Sequence, residues 1–125
     1  MAESLTAFIA RTGDLPFIWG ERDCTLWVAD WCVRHFGFDP AHFYRGTYDN
    51  EAQANALTGG DLAAFVAPEL AKHLVRKEPP SDGDIAIIAA YGREIAAIRQ
   101  GRFWAIKTEN GLAHLRARAI AIWGV

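Results

Sequence analysis

Apolar residues recur at helical spacing in the first half of the chain and alternate in the second. After Ser4, the set Leu5, Phe8 and Ile9 lines one helical face, so a first helix is predicted over residues 3–11, stopped at Gly13. Leu15 and Pro16 then lead through a turn into "FIWGERDC", residues 17–24. Over residues 24–36, Trp27, Val28, Trp31, Cys32, Val33 and Phe36 form a broad helical stripe, with Asp23 placed to cap its start and Gly37 to end it.

"FDPAHFYRGTYDN" is turn-rich and aromatic, which predicts an ordered loop with one short helical turn at most. "NEAQANAL" and "GGDLAAFVAPELAKHLV" predict short helices broken at Gly59, Gly60 and Pro68. After "RKEPPSDG" the period changes. "DIAIIAA", "REIAAIRQG", "RFWAIKT" and "LAHLRARAIAIWGV" predict strands joined by tight glycine-containing turns. Helices first and a mainly antiparallel sheet afterwards is the α+β pattern.

Composition narrows this picture. With 125 residues, 51% of them hydrophobic, the chain can bury the core of one domain spanning 1–125 without disulfide or metal staples. A net charge of -2 with scattered basic residues argues against a nucleic-acid partner, and Arg116 with Arg118 reads as a solvated strand face. "MAESLTAFIARTGDLPF" lacks the basic start, unbroken apolar stretch and small-residue cleavage site of a signal peptide. No apolar run is long enough to cross a bilayer. The expectation is a chain made in the bacterial cytoplasm, with no membrane insertion.

Chemistry centres on Cys24. A cysteine in the first turn of a helix meets the positive end of the helix dipole and unpaired backbone N–H groups, which favour thiolate and can serve as an oxyanion hole. Cys24 is therefore a candidate nucleophile, with a structural cysteine that merely opens the helix as the alternative. Asp23 beside it opposes ionisation, although as a cap its charge is spent on the backbone. A disulfide to Cys32 is excluded, since eight helical residues separate the two by about 12 Å. The same helix carries His35 about three turns beyond Cys24. His42 lies in the loop with nothing to fix it, and His73 ends a short helix. In "LAHLRAR" alternation puts Leu112, His114 and Arg116 on one strand face. His114 is thus the candidate base by elimination, against a strand-surface histidine without a catalytic role. Cys32 and His35, at i and i+3, could share a metal, but no second pair with zinc-like spacing follows. No metal, cofactor or phosphate-binding glycine loop is predicted.

Taken together, "PFIWGERDCTLWVADW" resembles the nucleophile segment of the NlpC-type cell-wall cysteine peptidases, which are papain-like hydrolases. Trp19, Gly20, Asp23 and Cys24 match a Trp-Gly pair followed by Asp-Cys at the start of the central helix. "SDGDIAII" resembles the segment that opens the family's sheet, with Gly83 and Asp84 in place. "WGERDC", "YRGTY" and the "WGV" ending are similar to a family of small phage and prophage proteins over the whole chain. The resemblance implies a papain-like fold, with N-terminal helices and Cys24 at the start of the central helix, packed on a C-terminal antiparallel sheet. It also exposes departures. The family's base position falls near Glu94, the polar residue that orients the base aligns with Ala105, and Phe17 replaces a tyrosine. A carboxylate at Glu94 would raise the thiol pKa instead of lowering it.

The resulting expectation is a phage tail-tip or tail-assembly component with a degenerate cysteine-peptidase fold, acting as a structural or binding module among phage tail proteins in the virion tail. The alternative is an active thiol hydrolase cleaving peptidoglycan peptides, with Cys24 as nucleophile and His114 as an unconventional base. Trp19, Asp23, Arg45 and Glu94 are the binding candidates. Arg45 in "YRGTY" could offer its guanidinium to a ligand carboxylate. It could equally tie its loop to Asp23, Asp30 or Asp39, with Gly46 supplying the turn.

Overall fold

Short helices capped by side chains open the chain in the computed structural model, which describes residues 3–125. α1 (Leu5–Thr12) begins at Ser4, whose hydroxyl accepts the Ala7 N–H at 3.1 Å. α2 (Cys24–Trp31) is capped by Asp23, as its position predicts. The chain then widens into a single π-helical turn over Cys32–Phe36, closed by the Gly37 N–H on the Cys32 carbonyl and by a left-handed Gly37. α3 (Glu51–Thr58) and α4 (Leu62–Leu70) follow, separated at Gly59 and Gly60. Pro68, expected to break a helix, instead lies inside the last turn of α4.

The sheet has the order β1-β6-β2-β3-β4-β5, and every pairing in it is antiparallel. Its strands are β1 (Val75–Arg76), β2 (Ile85–Ala90), β3 (Arg93–Gln100), β4 (Phe103–Thr108), β5 (Gly111–Leu115) and β6 (Arg118–Gly124). The α+β architecture follows the sequence pattern. Two details do not. β1 begins at Val75, the last residue of a stretch read as helix, and the final apolar run is two strands because Arg116 and Ala117 leave the ladder.

That break determines the shape. β5 and β6 are four strand spacings apart in the ladder, about 19 Å on a flat sheet. Three Cα steps from Leu115 to Arg118 span at most about 11 Å. The sheet must therefore curl until β5 approaches β6. A bulge between Ile87 and Ile88, opposite which Ile120 is the extra residue, adds to the local twist.

Curling gives each sheet face its own core. Alternate residues such as Ile85, Ile87, Ala96, Ile98, Ala121 and Trp123 face the helices and pack with Phe8, Trp27, Trp31 and Leu70. Their neighbours Ala86, Ile88, Ile95, Ala97, Trp104, Ile106 and Ile122 form a second cluster within the rolled sheet, against which Cys24 at the start of α2 packs. Buried indoles keep their polar ends satisfied: Trp27 Nε1 donates to Thr12 Oγ1 at 2.9 Å and Trp31 Nε1 to the Gly83 carbonyl at 2.8 Å. Lys107 of β4 is also buried, its ammonium donating to the carbonyls of Gly13 (2.9 Å) and Leu15 (2.6 Å) just past the C-terminus of α1. There it completes orphan acceptors and meets the negative end of the helix dipole.

Candidate functional site

Cys24 opens α2 beside the mouth of the curled sheet. It lines a cleft of about 130 Å³ with Phe17, Trp19, Tyr91, Arg93 and Ile95, together with Glu51 and the 106–109 end of β4. Phe17 and Trp19 meet edge to face at 5.0 Å, and Arg93 pairs with Glu51 at 3.0 Å. Aromatic rings and an ion pair thus surround the thiol. The Cys24 sulfur sits 4.0 Å from the Thr25 hydroxyl. Burial pushes its pKa above the ordinary cysteine value, and the Asp23 charge pushes it further, outweighing the opposing effects of Thr25 and Arg93. The helix dipole does not make this thiol acidic.

Asp23 explains much of the local sequence. Its carboxylate is almost wholly buried and accepts from Thr25 N (3.1 Å), Leu26 N (2.9 Å), Gly20 N (3.0 Å) and the Tyr48 hydroxyl (2.5 Å). The last of these, with burial, raises the Tyr48 phenol well above its ordinary pKa. Gly20 has φ +80°, and any Cβ there would collide with the Tyr48 carbonyl. The Gly46 N–H reaches back to the Gly20 carbonyl at 2.8 Å. "WGERDC" and "YRGTY" are therefore the two halves of one joint. Tyr48 is the residue the sequence reading missed here, and its signal was the tyrosine that closes "YRGTY" after Gly46.

Arg45 takes the structural alternative. Its guanidinium grips Asp39 through two bonds (2.9 and 3.1 Å) and Asp30 through a third nitrogen at 2.9 Å. Burial disfavours the Asp39 carboxylate, but bonds from Arg45 and the Ala41 amide overcome it and hold its pKa below the ordinary value. For Asp30 the balance is opposite, and burial leaves its pKa raised despite Arg45. A second joint couples the remaining motifs. Asp84 of "SDGD" accepts from Ser81 N at 2.7 Å and pairs with Lys77 at 2.9 Å, and its carboxylate lies where a Cβ on Gly124 of the "WGV" ending would go.

The structure does not bring His114 to the thiol. Its exposed imidazole on β5 meets Gln100 Oε1 at 2.6 Å, across from Ala105, on the outer edge of the ladder and outside the cleft. Leu112 and His114 lie on β5 as read, but Arg116 falls beyond its end, and His114 does not line the cleft at Cys24. Glu94 also faces elsewhere. Its carboxylate accepts the Ala63 N–H at 3.0 Å, tying β3 to the first turn of α4. The β3 residues that line the cleft are Arg93 and Ile95, on either side of Glu94, because side chains alternate across a strand. Among the described residues, no imidazole lines the cleft at Cys24. Cys32 is buried, while His35 stacks on Trp31 at 4.3 Å. Among the described residues, no group of three or more metal-ligating side chains assembles.

The fold and this joint define a class: an α+β domain with a cysteine at the start of the helix that packs on an antiparallel sheet. The chain belongs to the DUF6950 family, a domain of unknown function, whose model matches residues 1–125. No curated protein and no solved structure matches it. Among the described residues, no helix is long and apolar enough to cross a membrane.

Proposed function

We propose that this chain is a papain-like, NlpC-type domain that has kept the nucleophile position and lost hydrolysis, and that it serves as a binding or structural module. The observation carrying this reading is the setting of Cys24, a thiol held protonated by burial and by Asp23, in a cleft without an imidazole. Acyl transfer needs a thiolate and a proton donor for the leaving group. Arg93, Lys107, Glu51 and Glu109 supply charge to the cleft, but arginine does not exchange protons near neutral pH, Lys107 gives two of its three ammonium hydrogens to backbone carbonyls, and a carboxylate beside the thiol opposes its ionisation. The papain-like assignment draws on Cys24 opening a helix against β3, whose first residues face it. Placement in a phage tail tip or tail assembly draws on the resemblance of "WGERDC", "YRGTY" and "WGV". A cleft walled by Phe17, Trp19 and Tyr91 suits binding without turnover.

The test is the alkylation rate of Cys24 against pH in a Cys32→Ala background, with and without His114→Ala. Thiolate should appear only above the ordinary cysteine pKa of about 8.5 and ignore His114. A thiolate well below that value that shifts when His114 is removed would restore the hydrolase reading, with peptidoglycan peptides as the substrate to try. The tail assignment is tested separately, by asking whether the tagged chain co-purifies with assembled tails of its own phage or prophage; its absence from them would overturn that part.

A further inference from the structure

On the other side of the α2 N-terminus lies a second recess, unconnected with the chemistry at Cys24. It is a cavity of about 100 Å³ between α2, α4, the sheet and the 40–48 loop, and none of its lining residues is charged. Leu26, Val28, Phe65, Val66 and Leu70 supply apolar surface, and the few polar groups are hydroxyls such as those of Thr25, Tyr44 and Thr58. The recess is partly open to water, with the exposed Leu57 at its rim, so its apolar lining is incompletely covered. It is smaller than the dry engineered cavity of about 150 Å³ that takes benzene, and its open side leaves room for part of a ring or chain.

α3 forms the outer wall. Ala54, Leu57 and Thr58 reach the cavity, yet no residue of α3 is buried and none joins a hydrophobic cluster. Polar contacts at its start hold it instead: Asn50 accepts the Gln53 N–H at 2.9 Å, and Glu51 pairs with Arg93 across half-exposed side chains. A wall that contributes apolar side chains to a void but buries none of them is set up to close over something else. We infer that this cavity is a binding site for a small, neutral, apolar ligand, a single ring or short aliphatic chain, with α3 as its cover. A charged ligand would find no counter-charge there, and an apolar one would gain contacts that neither wall now makes.

The inference stands apart from the fate of Cys24 and is tested by titrating the methyl-labelled full chain with benzene, 1-hexanol and, as a charged control, hexanoate. Benzene or hexanol should produce saturable shifts confined to the methyl groups that line the cavity, Leu26, Val28, Leu57, Val66 and Leu70 among them, with a dissociation constant of roughly a millimolar or tighter, and hexanoate should bind at least about tenfold more weakly. Ala54→Trp, on the cover helix, none of whose residues is buried, and Val66→Phe, on α4, should each fill the space and abolish the shifts. Shifts that never saturate, spread over the chain, or persist unchanged in both folded variants would overturn the inference, as would equal binding of hexanoate.

Discussion

Cys24 and Cys32 sit eight residues apart on the helix the sequence marks most strongly, and they occupy opposite kinds of recess. Cys24 looks into a cleft of rings and ion pairs at the mouth of the curled sheet, while Cys32 borders an uncharged cavity behind α2. Both thiols have raised pKa values, with burial as the largest cause and a carboxylate adding to it. Burial, with the Asp39 charge, pushes Cys32 up to about 12. At Cys24 the added charge is that of Asp23, the adjacent residue and the helix cap itself. A helix N-terminus therefore does not make an acidic thiol by position alone. Here the residue that caps the helix also supplies the charge that opposes ionisation.

The largest test of that contrast removes Asp23. Asp23→Ala strands four donors, two of them backbone amides at the start of α2, and should cost about 3–5 kcal/mol in urea unfolding. The milder Asp23→Asn should lower the pH at which Cys24 is alkylated and leave Cys32 unchanged. Gly20→Ala comes next, at about 2–4 kcal/mol, because it combines a positive φ with a collision against the Tyr48 backbone. Its thermal transition should fall steeply while the cysteine chemistry of the surviving folded protein stays as it is.

Swapping each sulfur for oxygen separates the two sites more gently. Cys32→Ser puts a hydroxyl against apolar walls and should cost about 1–3 kcal/mol, against less than about 1 for Cys24→Ser at its partly open position. Equal costs in denaturant titrations would erase the distinction. The alkaline limb of stability gives a fourth measurement. Below the ordinary thiol value of 9.0, Cys32 is protonated in both states; above it the unfolded chain loses a proton that the folded chain keeps until about 12. Stability should therefore fall with rising pH across that window, the Cys32 share being about 1.4 kcal/mol per pH unit. Cys32→Ala should flatten the slope by that amount. Smallest of all is His114→Ala, expected within about 0.5 kcal/mol of the parent protein and without effect on Cys24 alkylation, since the exposed imidazole hydrogen-bonds to the half-buried Gln100 and lies outside the cleft.

The helices and their caps were legible because each depends on residues close in sequence. Ser4, Asp23 and Gly37 act within one turn of themselves, and the apolar stripe of α2 needs only its own periodicity. Strand alternation was legible for the same reason. The site was legible only as a set of motifs. Their roles came from pairings across the chain: Gly20 with Tyr48, Arg45 with Asp30 and Asp39, and Asp84 against Gly124. Glu94 and Arg93 show how fine the limit is. One residue along a strand decides which of them caps α4 and which faces the thiol.

By itself the sequence determined the order of helices and strands and the capped start of α2 at Cys24, since caps and periodicities are local properties. Only the tertiary structure decided that the sheet curls and buries both of its faces, that the two-residue link after β5 forces this closure, and that His114 lies outside the cleft at Cys24. It alone decided, too, that motifs resembling a catalytic segment serve as joints between loops. Such outcomes depend on strand order and on contacts between distant residues, which periodicity does not encode.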